Sequence, residues 1–369
     1  MSEDGSVRDR QPQRSPESMT ATTRPERGAT GGTRVLVTGA GGFIGHHLVR
    51  YLKDLGYWVR GVDLKYPEFE ATAADEFEIL DLRRWDNCLR ATRGVQEVWA
   101  LAADMGGMGF ISAHHAEILH NNALINIHTL EAARVNGVSR YLFTSSACVY
   151  PEFKQTQTDV VPLKEEDAYP AQPQDAYGWE KLVIERLCTH YREDYGFETR
   201  IVRFHNIFGP RGTWRGGREK APAALSRKIA IAKLTGEHVI ELWGDGEQTR
   251  SFCYIDDCTT GLYRLMRSDH REPLNLGQDR MVTINELADM IAAIADISVE
   301  IRHVPGPQGV RGRNSDNTQL RQVLGWEPQI SLEEGLARTY RWIEQQVQDT
   351  LEPAAVGLAT VTVPGVGVI

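Results

Sequence analysis

Cysteine is scarce. There are five, at 88, 148, 188, 253 and 258, an odd number with no C-x-x-C pair. A disulfide framework or a zinc ribbon is therefore not the organising device. Positive charge is also in deficit: 41 Lys and Arg stand against 50 Asp and Glu, a net charge of −9. That balance argues against a chain whose main partner is nucleic acid or an anionic membrane. Any anionic ligand must be met by a local basic patch. No apolar run reaches the length of a membrane span. The N-terminus shows no signal-peptide core, so a reducing cytoplasmic compartment is expected. Large apolar residues are almost missing from residues 1–32, which are rich in Arg, Ser, Pro, Thr and Gly. A disordered arm is expected there. Residues 353–369 carry no charge and are broken by Gly and Pro; a flexible tail is expected over 349–369.

Between these ends the pattern alternates. RVLVTG (34–39) reads as a short strand, and FIGHHLVRYLKDLG (43–56) has helical spacing with a closing Gly. WVRGVD (58–63), EFEILD (76–81), EVWALAA (97–103) and RYLFTSSA (140–147) read as further strands. Helical spacing fills 114–136 and 175–196, and two later helices are expected to open with capping boxes, Thr283 with Glu286 and Ser331 with Glu334. Strand and helix repeated in this way predict an α/β fold, a Rossmann-type doubly wound parallel sheet. The expected division is a dinucleotide-binding domain over 33–205, to which later segments return, and a smaller interleaved C-terminal substrate domain over 206–348.

GAGGFIG places Gly39, Gly42 and Gly45 directly after a strand and at the opening of a helix. The first permits a tight turn, the second lets a pyrophosphate approach the backbone, and the third lets helix pack on strand. Asp63 ends the next strand roughly 20 residues on, where a carboxylate binds an adenosine ribose diol. A carboxylate there repels a 2′-phosphate, so NAD is the expected cofactor; Lys65 softens that contrast.

Tyr177 and Lys181 lie four apart on a predicted helix and so share a face. A phenol titrates near 10, too high for a base at neutral pH, and an ammonium beside it favours the phenolate. Ser146, at a strand end, is placed to hydrogen-bond a reacting hydroxyl. A free cysteine is usually a small buried hydrophobe, and Cys88, Cys188, Cys253 and Cys258 are read so. Cys148, in SSACVY, sits beside the hydride-transfer residues, which do not require a thiol. HHAEILH (114–120), His46 and His47 are read as helix-surface histidines, and no metal site is expected. Residues 211–228 carry Arg211, Arg215, Arg218, Lys220, Arg227 and Lys228 against one acid, Glu219. This patch is suited to a pyrophosphate, though about half of it reads equally well as solvated surface.

GAGGFIG, Asp63, SSACVY and Tyr177-x-x-x-Lys181 resemble the extended short-chain dehydrogenase/reductases, the NAD-dependent epimerase/dehydratase family acting on nucleotide sugars. Longer strings are similar to its GDP-mannose 3,5-epimerase branch: LAADMGGMGFI (101–111), SSACVYPEFKQ (145–155), PQDAYG (173–178), RFHNIFGP (203–210), GTWRGGREKAPAA (212–224), WGDGEQTRSF (243–252) and VPGPQGVRGRNSDN (304–317). The resemblance spans about 33–348. It implies an isomerase that oxidises C4 of the hexose with NAD, which acidifies the C3 and C5 protons, and then inverts those carbons. Cys148, as thiolate, and Lys220 become the acid/base pair, with Tyr177, Lys181 and Ser146 as redox residues. The cofactor set becomes Gly39, Gly42, Phe43, Ile44, Gly45, Asp63, Asp81, Tyr177 and Lys181. The substrate set becomes Gly106, Ser146, Ala147, Cys148, Asn206, Glu219, Lys220, Ala221, Lys228, Gln248, Arg250 and Arg313. The implied substrate is GDP-mannose, the products GDP-L-galactose or GDP-L-gulose, and the assembly a homodimer through 114–136 and 175–196. Rival readings are an epimerase of C5 alone or of another NDP-hexose, and a Rossmann nucleotide sensor without turnover.

Overall fold

The computed structural model describes residues 32–359; the expected arm up to residue 31 and the end of the expected tail, 360–369, lie outside the described residues. The first half winds as β1 (Arg34–Thr38), α1 (Phe43–Asp54), β2 (Trp58–Asp63), β3 (Glu76–Ile79), α2 (Trp85–Thr92), β4 (Glu97–Ala100), α3 (Met108–Ile111), α4 (His115–Val135), β5 (Arg140–Ser146), α5 (Ala176–Tyr195) and β6 (Thr199–Phe204). The chain continues with β7 (Ile207–Phe208), α6 (Ala221–Thr235), β8 (Val239–Trp243), β9 (Thr249–Ser251), β10 (Cys253–Tyr254), α7 (Ile255–Arg267), β11 (Pro273–Leu276), β12 (Met281–Thr283), α8 (Ile284–Ala295), β13 (Glu300–Val304), β14 (Gly312–Arg313), α9 (Thr318–Leu324) and α10 (Leu332–Ala359).

Seven parallel strands form the main sheet in the order β11-β6-β5-β4-β1-β2-β3. Helices on both faces bury these strands on both sides, which is why they read as near-continuous apolar runs. Val35, Leu36, Val37, Trp99, Leu142 and Phe143 are fully buried; a Leu→Ala change in such a place costs about 2–5 kcal/mol. Strand order reverses between β1 and β4, where an open α/β sheet leaves its ligand crevice. The Thr38 hydroxyl accepts from the N–H groups of Leu101 and Ala102 there, each at 3.1 Å, and so holds the two strand ends apart at fixed spacing.

The second half assembles α6, α8 and α10 over small sheets, β8 paired with β13 and β12-β9-β14. Strand β11 returns from it to the main sheet. Thr283 and Glu286 cap α8 reciprocally, at 3.0 and 2.8 Å. The box expected at Ser331 is half formed: Ser331 accepts from the Glu334 N–H at 3.2 Å, but the Glu334 carboxylate turns to Arg338 instead. The helix it opens runs to Ala359, past residue 349, where a tail was expected. The two-residue and three-residue strands and α3 had no readable period in the sequence. His46 and His47 correct the surface reading. His46 is buried and meets Glu70 at 3.4 Å, and His47, half-buried, bonds the Pro210 carbonyl at 3.0 Å. Residues 67–70 and 210–213 fold over α1 and cover that face. His114, His115 and His120 are exposed, as expected.

A buried ionic network ties α5 to the sheet. Arg203 on β6 forks onto Glu185 of α5 at 2.9 and 2.6 Å, and Ser145 of β5 donates to the same carboxylate at 2.5 Å. Arg203 also donates to the Glu165 carbonyl at 2.7 Å. Removing one partner of such a pair leaves a bare buried charge, a loss of about 3–5 kcal/mol.

Candidate active site

One cavity of about 960 Å³ opens at the β1/β4 switch point, and every residue of the cofactor, acid/base and substrate sets that the resemblance implies lines it. Its cofactor arm is made mostly of backbone. Gly39 has φ +69°, and a Cβ on it would lie 2.9 Å from the Ala102 nitrogen. A Cβ on Gly45 would lie 2.0 Å from the Gly39 carbonyl oxygen, so helix and strand touch there. Around Gly42 the nearest atom to such a Cβ is 3.3 Å away, which leaves room for a ligand. Gly41, not singled out from the sequence, is as constrained as Gly45: its Cβ would fall 2.1 Å from the Lys65 carbonyl oxygen. The first turn of α1 holds no acid and Gly42 offers no side-chain cap, so its N–H groups stay open to an anion.

Asp63 accepts from the N–H groups of Gly41 and Leu64 at 2.9 and 2.6 Å. Burial raises its pKa, against those amides. Lys65 faces Glu68 at 3.8 Å. Asp81 accepts from Arg83 at 2.8 and 2.9 Å, and that guanidinium lowers its pKa.

Tyr177 and Lys181 stand on consecutive turns of α5, which Asp175 caps through the Gly178 N–H at 2.8 Å. Both are buried. The Lys181 Nζ lies 5.5 Å from the centre of the Tyr177 ring, and its nearest carboxylate oxygen, on Glu180, is 4.0 Å away. Among the described residues this ammonium makes no hydrogen bond, so the site holds a buried donor that a ribose hydroxyl would satisfy. The glycine cradle, Asp63 and this donor fit a bound NAD. The expected pull of Lys181 on the phenol is overridden: burial holds Tyr177 well above 10 and Lys181 below its ordinary value. Hydrogen bonding from Ser146 works in the opposite direction on Tyr177.

Cys148 sits on the short turn after β5, its N–H donating to the Ser146 hydroxyl at 3.2 Å. A Cβ on Gly178 would lie 2.1 Å from the Cys148 carbonyl oxygen, so the thiol-bearing turn rests directly on the helix that carries Tyr177. Arg313 donates to the sulfur at 3.3 Å and is itself fixed by Gln155 at 2.6 Å. Lys220 precedes α6, whose second residue is Pro222. Its side chain meets solvent through the cavity, yet protein surrounds it. That crowding lowers its pKa, and Cys148 works in the opposite direction.

The basic patch divides. Arg211 is tied to Glu70 and Arg215 stacks on Trp214, both off the cavity. Arg218 pairs with Asp104 at 3.3 Å and covers the Phe110 ring, while Arg227 pairs with Glu219 at 2.9 Å. Lys228 donates to the Glu241 carbonyl. Arg250 donates to the carbonyls of Thr249 and Val310, both at 2.7 Å; burial, with the Arg313 charge beside it, brings its pKa down to about 9. Lys220, Lys228, Arg250 and Arg313 thus line the cavity without an ion pair among the described residues. Asn206 has φ +48° and ties its amide to the Ser251 carbonyl at 2.8 Å, and the buried Gln248 Oε1 has no partner among the described residues. The sequence did not single out Asp104, Gln174, Trp243 or Gln308, which also line the cavity; the WGDGEQTRSF string holds Trp243, but no spacing marks it.

A glycine-cradled cofactor arm, a Tyr/Lys pair and a cationic arm define an NAD-dependent enzyme. Residues 35–277 match the model of the NAD dependent epimerase/dehydratase family, and the chain belongs to that family. It is 55% identical over 317 residues to GDP-mannose 3,5-epimerase 1 of Oryza sativa subsp. japonica, covering 85% of this chain and 82% of that one. It is 54% identical to GDP-mannose 3,5-epimerase of Arabidopsis thaliana, covering 85% and 83%. Among solved structures it is similar to a UDP-glucose 4-epimerase of Thermotoga maritima determined with UDP-glucose, at a TM-score of 0.77 and 28% identity over 85% of this chain and all of that one.

Proposed function

We propose that the protein epimerises GDP-D-mannose at C3 and C5 through a transient C4 ketone. GDP-L-galactose is the product of both inversions and GDP-L-gulose the product of inversion at C5 alone. The relatives named for this reaction support the substrate. The observation that carries the reading is the juxtaposition of Cys148 and Lys220 with cations that have no carboxylate partner, in a chain whose net charge is −9. Those cations suit a diphosphate.

Bound NAD supplies an acceptor and later donor for the C4 hydride. Tyr177 takes the C4 hydroxyl proton, Ser146 holds that oxygen, and Lys181 holds the nicotinamide ribose. A ketone at C4 acidifies the protons on C3 and C5, since the electron pair left behind delocalises into the carbonyl. Cys148 takes a proton from one face and Lys220 returns one to the other. A lysine held below its ordinary pKa gives up its proton more readily than a solvated one. Lys228, Arg250 and Arg313 hold the diphosphate, with Gln248 and Asn206 beside it, and the backbone at Gly106 and Ala221 shapes the sugar pocket.

Residues 33–205, with β11, form the NAD domain, and 206–348 form most of the substrate domain. Leu119 and Ile127 of α4 and Trp179 and Val183 of α5 are 41–59% exposed, an apolar surface suited to a second copy of the chain. Unpaired thiols, four of them buried, suit a cytoplasmic compartment. Incubation with GDP-mannose, mild acid hydrolysis and separation of the released hexoses tests the function: galactose, with or without gulose, is expected. Mannose alone contradicts it.

A further inference from the structure

One buried carboxylate beside the redox pair takes no part in the chemistry above. Glu180 precedes Lys181 on α5, is 1% exposed and lies off the cavity. Successive residues leave a helix roughly 100° apart. Lys181 therefore reaches the cavity while Glu180 reaches α4, where the buried Asn126 donates to its Oε1 at 2.7 Å. The other oxygen, Oε2, is buried without a hydrogen bond among the described residues and lies 4.0 Å from the Lys181 Nζ. The other buried carboxylates among the described residues are held differently. Glu185 takes the Arg203 fork, Glu97 takes Arg267, and Asp257 accepts the N–H groups of Gln329 and Ile330 at 3.0 and 2.8 Å. Glu180 has one neutral amide and, across a gap, one ammonium. A carboxylate buried in this way is costly unless a charge answers it.

The ammonium has the same need. Lys181 is 1% exposed, and its Nζ lies 4.7 Å from the centre of the Phe143 ring and 5.5 Å from that of Tyr177. Aromatic faces ease the burial of a cation without neutralising it. Burial lowers the pKa of Lys181, and the Glu180 charge is the largest influence opposing that, ahead of Glu185 and Cys188. Burial raises the pKa of Glu180, opposed first by the Lys181 charge and then by the Asn126 donor. Facing the pair are Tyr177, Glu185 and Cys188 of α5 and Tyr141 of β5. Glu185 is occupied by Arg203 of β6, and burial raises the pKa of both Tyr141 and Cys188. Each member of the pair is thus the other's main answering charge.

We infer that Glu180 is a positioning residue for the redox pair: its carboxylate is the counter-charge that keeps Lys181 an ammonium in so dry a wall, and Asn126 holds that carboxylate in place. The inference rests on the redox roles proposed for Tyr177 and Lys181 and is independent of which sugar is bound.

Melting temperatures of the purified parent, Glu180→Gln, Lys181→Met and the double variant form a cycle that needs no turnover. Glu180→Gln keeps the shape and the oxygen that Asn126 bonds but leaves the ammonium unanswered. It is expected to melt roughly 5 °C below the parent. Adding Lys181→Met should restore most of that loss, since no bare charge then remains. Glu180→Gln melting with the parent, or a double variant no more stable than Glu180→Gln, would overturn the inference. Should Glu180→Gln not fold, folding of the double variant supports the inference and its failure to fold overturns it. The second readout is the pH profile of kcat, which a packing role would leave in place. A nearby carboxylate resists proton loss at Tyr177 and Lys181 alike. The profile of Glu180→Gln should therefore move to lower pH by about one unit or more, and Glu180→Asp, which keeps the charge, should return most of the shift. An unmoved profile would overturn the inference whatever the melting cycle shows. Should the parent leave GDP-mannose unchanged, the proposed reaction fails while the melting cycle still decides the counter-charge.

Discussion

The two arms of the cavity are built from different materials. The cofactor arm is largely backbone from one stretch, residues 39–65, and its shape is set by atoms that are missing: Cβ groups at 39, 41 and 45 would fall 2.0–2.9 Å from other main-chain atoms. The substrate arm is largely side chain. Cys148, Lys220, Arg250 and Arg313 arrive from the turn after β5, the start of α6, β9 and β14, and the three cations are left without carboxylate partners among the described residues. A backbone site tolerates no added atom but needs no particular functional group. A side-chain site tolerates changes of shape but depends on the chemistry of each group. Damage to the first should remove the cofactor, and damage to the second should leave the cofactor bound and stop one step.

The largest effect is expected from Gly45→Ala. The added methyl would fall on the main chain of Gly39 and Ala40, with no flexible side chain there that could give way. Purified variant should lose its bound NAD at least tenfold relative to the parent, read from absorbance at 260 nm against 280 nm, and all activity with it. Undiminished cofactor content would break the comparison from the backbone side. Cys148→Ala is expected to do less and more selectively. Proton exchange at the inverted carbons should fall about 10²–10⁴-fold, the usual range for a positioned acid or base, while NAD content and GDP affinity stay at parental levels. Parallel loss of NAD content and GDP affinity would mean that Cys148 is a packing residue after all.

This contrast also explains what the sequence made legible. The phosphate turn, Asp63 and the Tyr177/Lys181 pair lie on regular elements at fixed spacings, so period and position identify them. The cationic arm has no period. Arg211 and Arg215 stood in the same basic run as Lys220 and Lys228, yet the fold turns them away from the cavity, to Glu70 and to Trp214. Their separation depends on tertiary pairing, which adjacency in sequence does not encode. His46 and His47 failed as surface residues for the same reason: residues 67–70 and 210–213 cover α1, and no pattern within the helix announces that cover. Tyr177 shows a further limit. Its spacing from Lys181 was readable, but the burial that outweighs the lysine charge was not. Gly41 and Trp243 sat in plain view within quoted strings, and only the neighbours of each mark them out.

The account turns on proton exchange at carbons flanking a C4 ketone. Incubating the protein with GDP-mannose in D₂O and reading the recovered nucleotide sugars by proton NMR tests that most directly. Deuterium at C5 and C3, with C4 retaining its original hydrogen, is the predicted result. Turnover with no deuterium at C3 or C5 would contradict it.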